Sequence, residues 1–511
     1  MHVLQVRVMV ISFILAILPI VFLAAGLLVW KLPAYQAAAG SFLISAVLAL
    51  LYWKMPVSAM ALSALEGALM ALWPIALVIL AAVFAYRLTL RTGAMDRIRQ
   101  MITAVSDDRR VLALLVAWCF GGFMEGMAGF GTAIAIPAGM LVTLGFEPMT
   151  ACLLCLIANG TPTPFGSIGI PTITLANLVG LDAAKLAAVS TLQLGLFSMA
   201  CPFLIVMAAG GGPKALKGMI PTAAVSGIAF VIPQYLVSRF AGPELAAVTG
   251  SLCSLGGTVL LARRIKDSGP YAMAGSRTSM PSVREALNAC APYLFVILFL
   301  LGTSRLVAPV YAALSGISST ITLQGSLTFS WINTPGIWIF LSAFIGGWIQ
   351  GARWKDFRIV FLETISQMKE TILTIISVLA CAKIMGYSGM IGDIASFAIT
   401  ASGALYPLLA PWIGALGTFV TGSGTNSGVL FGAVQKQAAE TLQVDPYWMV
   451  GLNSLGVAAG KMLGPQSLAI ALSAVNEKGR DAELMKRILP YTAAFLILMS
   501  LFAWIGTMLF G

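Results

Sequence analysis

The chain has 511 residues, of which 59% are hydrophobic and only 10% charged, and its mean hydropathy is +0.95. Soluble domains carry about 25% charged residues, so this composition excludes a water-soluble globule of the same length. The formal charge of +11 does not signal a nucleic-acid partner, because the Lys and Arg residues sit in short loops and never interleave with aromatics in a patch; in such loops they act as orientation signals.

The apolar residues come in roughly twelve blocks of about 20, the length that crosses a bilayer core. In chain order the predicted spans are 9–30, 35–52, 65–88, 148–180, 186–209, 218–237, 244–262, 288–310, 335–352, 367–387, 446–475 and 488–510. The first block is long enough to span and no clear cleavage site follows it, so no cleavable leader is expected. Basic residues cluster in the loops 87–110 (six Arg), 263–284 (including Lys266 and Arg277), 353–358 and 476–487 (including Lys478). The positive-inside rule assigns all four to the cytoplasm. An even number of crossings must then separate each pair, and the spans give four, two and two only if 109–146 and 405–443 do not cross.

Those two stretches are about 38 residues each, apolar, and broken near the middle by Gly and polar residues. Each half is about 15 residues, too short to span. The reading is a pair of re-entrant helical hairpins, whose irregular tips are tolerable only where buried in protein or lining a cavity. The alternative is two full spans with a flexible loop.

The halves of the chain match at a nearly fixed offset. Arg87 and Lys383, Gly93 and Gly389, and Gly126 and Gly422 each differ by 296, while Asn159 and Asn453, and Pro171 and Pro465, differ by 294. Residues 87–110 carry six Arg but the equivalent 383–406 carries a single basic residue, Lys383. Seven crossings separate the hairpins, so the copies face opposite sides. Inverted repeats with broken helices and a midplane site belong to secondary transporters. The expected organisation is a first repeat over 1–240, a connecting span and loop over 241–287, and an inverted repeat over 288–511.

The first tip reads Gly121-Gly-Phe-Met-Glu-Gly-Met-Ala-Gly-Phe-Gly-Thr132 and the second Thr421-Gly-Ser-Gly-Thr-Asn-Ser-Gly428. Glycines allow close backbone approach, and N–H groups freed at the start of a returning half-helix suit a carboxylate. Packing of small residues between helices is the competing explanation. Each hairpin precedes a span broken in its middle, around Asn159-Gly-Thr-Pro-Thr-Pro164 and Gly460-Lys-Met-Leu-Gly-Pro-Gln-Ser467, where Pro and Gly forbid a continuous helix. The candidate substrate-binding residues are Gly126, Gly129, Gly131, Asn159, Thr161, Thr421, Ser423, Thr425, Asn426, Asn453, Lys461, Gln466 and Ser467.

Two ionisable residues lie in these elements, and such groups inside a membrane are functional by default. Lys461 is assigned to the substrate carboxylate and Glu125 to a coupled proton, with a structural role, or snorkelling of Lys461 to an interface, as the alternative. Glu66, Lys383 and Asp393 fall near span ends and are placed at interfaces. The sole His is His2, so the commonest neutral-pH proton carrier is missing from the spans. Cys152 and Cys155 form a CxxC inside the apolar run 151–157, which reads as helix packing. No cofactor and no metal site is expected. A membrane enzyme lacks a nucleophile–base pair here, and two occluding broken elements favour alternating access over an open channel.

At these residues the sequence resembles the L-lactate permease family of bacterial lactate and glycolate permeases. The resemblance runs through Lys54-Met-Pro56, Trp73-Pro-Ile75, Glu125-Gly-Met-Ala-Gly-Phe-Gly131, Leu154-Cys-Leu-Ile157, Phe165-Gly-Ser-Ile-Gly-Ile-Pro171, Gly242-Pro-Glu-Leu245, Tyr387-Ser-Gly389, Thr421-Gly-Ser423 and Gly460-Lys-Met-Leu-Gly-Pro-Gln-Ser467. It implies uptake of L-lactate, often with D-lactate and glycolate, together with a proton; Na⁺-coupled uptake of another small organic acid is the alternative. It also implies an all-α fold of inverted repeats, commonly a homodimer, moving as an elevator. The chain departs from the family pattern at Ala133, usually Pro; at Gly424, usually Asp or Asn; and near Gly428, commonly Asn. These departures bear on the preferred substrate.

Overall fold

The structure, a computed structural model, describes residues 2–129, 131–265, 269–273, 280–477 and 479–510. Lys266, Arg277 and Lys478 of the basic loops and Phe130 of the first tip lie outside the described residues. The chain is almost entirely helical, as an apolar sequence needs: in lipid every backbone polar group must find its partner within the segment. Among the described residues ten helices are long and apolar enough to cross a membrane, or twelve if two bent pairs count as one span each. The protein is a multi-pass membrane protein.

The bent pairs sit where the sequence loses backbone donors. Pro148–Gly160 and Thr163–Val179 meet at 62°, and Pro446–Leu463 and Pro465–Ala474 at 43°. In the first break Ser167, Ile168 and Gly169 all take left-handed backbone angles, a conformation rare for a β-branched residue. Two predicted spans are shorter as helices: Ala246–Ala262 has 17 residues and Pro335–Ile349 has 15. Conversely, Arg109–Met127 and Met390–Thr421 are long enough to cross, so length alone does not separate spans from hairpin arms.

Contacts add what length lacks. The ends of the 109–146 segment meet, with the Arg109 guanidinium 5.3 Å over the Phe146 ring, and its arms Arg109–Met127 and Thr132–Thr143 pack together. In the second segment Tyr406–Thr421 packs on Gly424–Leu442, and Gln435 accepts a hydrogen bond from the Tyr406 hydroxyl (3.1 Å) while donating to the Ala410 carbonyl. Both segments are helical hairpins. The first is the innermost element, with every side chain from Arg110 to Ala128 buried. Peripheral helices instead turn aliphatic side chains outward, Leu43, Leu196 and Leu298 among them. Tight inside packing with an apolar outer surface suits a lipid solvent.

Ion pairs gather the basic loops on one face: Arg91 with Asp356 at 3.1 Å, Arg97 with Glu285 at 2.6 Å, and Arg487 with Glu147 at 3.4 Å. On the opposite face lies an element absent from the all-α expectation. Strands Ser318–Thr322 and Ser326–Ser330 pair antiparallel with Thr320 opposite Thr328. The alternation Ser-Leu-Thr-Phe-Ser, with Phe329 buried, is the period-2 signal of a half-buried strand.

Glu66 and Lys383, expected near span ends, meet in an ion pair. Glu66 is buried, and Lys383 Nζ pairs with its Oε1 at 2.8 Å. The carboxylate also accepts from the Tyr387 hydroxyl and from the Gly325 N–H at the strand turn. Asp393 accepts from Trp53 Nε1 at 2.9 Å. Cys152 and Cys155 are fully buried, free thiols packed in a helix, as the apolar run indicates.

Candidate substrate-binding site

Each hairpin turns on residues that a side chain would obstruct. In the first tip Gly129 and Gly131 have φ of +60° and +85°, and a Cβ on Gly131 would fall 2.6 Å from the side chain of Ile470. In the second, Gly422 has φ of +67° and its missing Cβ leaves room for Gln466. Gly424 lies so close to Val457 and Thr163 that a Cβ there would sit 2.7 Å and 3.2 Å from them. Gly424 is therefore a point of close approach between the second tip, its own broken-helix half and Thr163 of the first half.

Tips and broken helices pack crosswise. Thr163–Val179 of the first half lies on Gly424–Leu442 of the second, where Leu175 faces Gly428 and Gly432. Pro465–Ala474 of the second half lies on Thr132–Thr143 of the first, through Ile470 and Gly131. The helices Pro148–Gly160 and Pro446–Leu463 cross directly, with Gly160 against the Ala458 carbonyl.

This exchange encloses a cavity of about 360 Å³, enough for a small organic acid. Of the candidate residues, Glu125, Thr421, Ser423, Thr425, Asn426, Lys461 and Gln466 line it. Glu125 is 4% exposed and Lys461 8%, so both charges face the cavity and not bulk water or an interface. Asn159 Nδ2 donates to Glu125 Oε2 at 2.8 Å, and Lys461 Nζ donates to the Gly422 carbonyl at 3.0 Å. Among the described residues neither charge makes a direct ion pair. Ser423 caps the returning helix by accepting from the Asn426 N–H, and no described residue accepts from the N–H of Gly424 or Thr425. A helix N-terminus with free donors beside an ammonium group is a carboxylate-binding arrangement.

The remaining candidates stand behind the wall. Gly126 lets Val248 and Ala247 approach, and Gly129 lets Ser167 donate to the Ala128 carbonyl. Thr161, Asn453 and Ser467 are buried, and their side-chain polar atoms, with Asn159 Oδ1 and Asn426 Oδ1, have no partner among the described residues. Sequence reasoning missed Gln367, Thr371 and Thr374 on the helix Trp354–Ser388, which line the cavity. Their signal was a polar stripe at helical spacing in an apolar span.

A family model described as L-lactate permease matches residues 12–510. The chain belongs to the L-lactate permease family. Curated relatives include the L-lactate permease of Streptococcus iniae, 39% identical over 87% of this chain and 94% of that protein. The L-lactate permease of Bacillus subtilis is 32% identical over 97% and 96%, and the glycolate permease GlcA of Escherichia coli K12 is 33% identical over 95% and 93%. Among solved structures, MtrF of Neisseria gonorrhoeae, described within a class of antimetabolite efflux pumps, matches with a TM-score of 0.50, covering 93% of this chain and 96% of that one at 14% identity. That likeness concerns the fold alone.

Proposed function

We propose that this L-lactate permease family member is a proton-coupled symporter of L-lactate or a related short 2-hydroxy monocarboxylate, D-lactate or glycolate, in the bacterial inner membrane. The carrying observation is the single cavity that holds two buried opposite charges, Glu125 and Lys461, beside a Ser/Thr/Asn-lined helix start. Lys461 and the Gly424 and Thr425 N–H groups bind the carboxylate; Thr421, Ser423 and Asn426 supply neutral partners for the hydroxyl group.

Charge balance links the two solutes. A buried site with net charge is costly. With Lys461 cationic and Glu125 anionic the empty cavity is neutral, and an arriving carboxylate restores neutrality only if Glu125 takes a proton. Symport of one anion with one proton is electroneutral, so the membrane potential does not oppose uptake.

The two hairpins are read as re-entrant, and the halves 1–240 and 288–511 as inverted repeats that move as an elevator in a homodimer; the crosswise packing of tips and broken helices supports the repeat. The basic loops 87–110, 263–284, 353–358 and 476–487 face the cytoplasm. A second reading, Na⁺ coupling of another small organic acid, draws on the buried, unpartnered oxygens of Asn159, Asn453 and Ser467, which are hard-ligand types.

The test is uptake of labelled L-lactate into proteoliposomes under an inward proton gradient, with Glu125→Gln alongside. Gradient-driven accumulation falls at least ten-fold in the variant, a change equal to about 1.4 kcal/mol of coupling. Accumulation under a Na⁺ gradient alone selects the second reading, and no lactate entry under either gradient rejects the substrate.

A further inference from the structure

The Gly242-Pro-Glu-Leu245 segment takes no part in the central cavity, yet it packs against the same broken helix. Gly169 has φ of +75°, and a Cβ there would lie 2.7 Å from the Pro243 carbonyl and 3.0 Å from the Glu244 nitrogen. At the other end of that left-handed turn, a Cβ on Gly166 would lie 2.5 Å from Glu125 Oε1. Residues 166–169 therefore lie between the Glu125 carboxyl group, in the central cavity, and the backbone of Pro243 and Glu244 beyond it. Only glycines allow both approaches.

Glu244 lines two further cavities, of about 200 Å³ and about 320 Å³, which share Glu244, Tyr311, Ser330, Asn333 and Pro335. They lie under the strand hairpin on the face away from the basic loops. The larger one shares Ile170 with the central cavity, so a single side chain stands at both walls. Gly242, at φ of +119°, leaves the space into which the Glu244 carboxylate folds.

We propose that Glu244 is the outer proton-binding group of the transport cycle: it takes a proton from water in the outer cavity and delivers it past Ile170 toward Glu125. The proton leaves the Glu244 carboxyl and ends on the Glu125 carboxylate, so the relay conserves charge and needs no other reactant. This rests on the proton-coupled reading above.

The surroundings fit a group that exchanges protons near neutrality. Glu244 lies in the loop between two helices, and burial pushes its carboxyl up to about 7, against the opposing pull of Arg305. Arg305 and Tyr311 are the titratable side chains that face it across these cavities, and Arg305 is itself held by Asp182 at 3.0 Å. The other lining groups are hydroxyls, amides and apolar side chains, including Thr174, Asn177 and Trp73.

The experiment measures initial uptake of labelled L-lactate into proteoliposomes of the full chain, at fixed internal pH and varied external pH, normalised to lactate exchange at symmetric pH. A single carboxyl with a midpoint near 7 gives a rise of about ten-fold from external pH 8 to 6, and Glu244→Gln flattens it. Arg305→Gln keeps the carboxyl and removes the cation, so the midpoint moves up; this variant decides the matter where Glu244→Gln does not reconstitute. A Glu244→Gln profile that keeps the wild-type rise, or an unmoved midpoint in Arg305→Gln, overturns the proposal. If the wild-type chain responds to a Na⁺ gradient and not to protons, the symport reading falls first and this inference with it. If the wild type is proton-driven and the variants do not respond as stated, this inference alone falls.

Discussion

Glycine has two distinct jobs at the tips, and the difference can be measured. Gly422 is left-handed and pressed on Gln466, whereas Gly428 sits in regular helix with its nearest neighbour, Leu175, 3.6 Å from a would-be Cβ. Gly422→Ala combines a disfavoured backbone with a collision, at a cost of about 1–3 kcal/mol. Gly428→Ala places alanine in a helix interior with room to spare and gains about 0.5–1 kcal/mol. Thermal unfolding in detergent is expected to show a lower midpoint for the first variant and an equal or higher one for the second. Equal losses in both would mean that the tip does not have this backbone. Lys461 illustrates a related point: its ammonium reaches a carbonyl of the second tip at 3.0 Å, a partner that no helical periodicity announces.

At the scale of elements, the pair Glu66–Lys383 ties the span Val57–Arg91 to the helix Trp354–Ser388, and the Gly325 N–H ties the strand turn to both. Near-complete burial of both side chains means that removing one partner strands a charge, which costs about 3–5 kcal/mol. Lys383→Met is expected to lower the unfolding midpoint sharply, and adding Glu66→Gln recovers part of the loss. A double variant no more stable than Lys383→Met alone would remove the coupling. The sequence places these residues near span ends correctly but not in contact, because they lie 317 positions apart and neither carries a local signature of its partner. Arg109–Met127 teaches the converse lesson. Its length permits a crossing, and the contact of Arg109 with Phe146 makes it one arm of a hairpin.

At the scale of the whole molecule, the proposed sidedness has a direct test. Arg358 belongs to a basic loop, and Ser319 to the strand hairpin on the opposite face. With Cys253 replaced by Ala, a Ser319→Cys chain is expected to react with a membrane-impermeant thiol reagent in intact cells. An Arg358→Cys chain reacts only in inside-out vesicles. The reverse pattern would invert the orientation and put the outer cavity of Glu244 on the cytoplasmic side. The strand hairpin is not legible in the sequence, because two five-residue alternations are too short to stand out in an otherwise apolar helical chain.

The sequence by itself determined the membrane class, the two interrupted segments and the family, because each is written in local composition or in motifs: apolar run length, Gly and Pro density. It also named seven of the side chains that line the central cavity, since polar residues in apolar elements stand out singly. Only the tertiary structure decided which of these share a space. Asn159 on Glu125, Lys461 on Gly422, Thr374 opposite the tips and Glu244 behind the same turn as Glu125 are all long-range contacts. They depend on how separate helices are brought together, within each half and between the two, and that geometry is set by the fit of packed surfaces, not by any window of neighbouring residues.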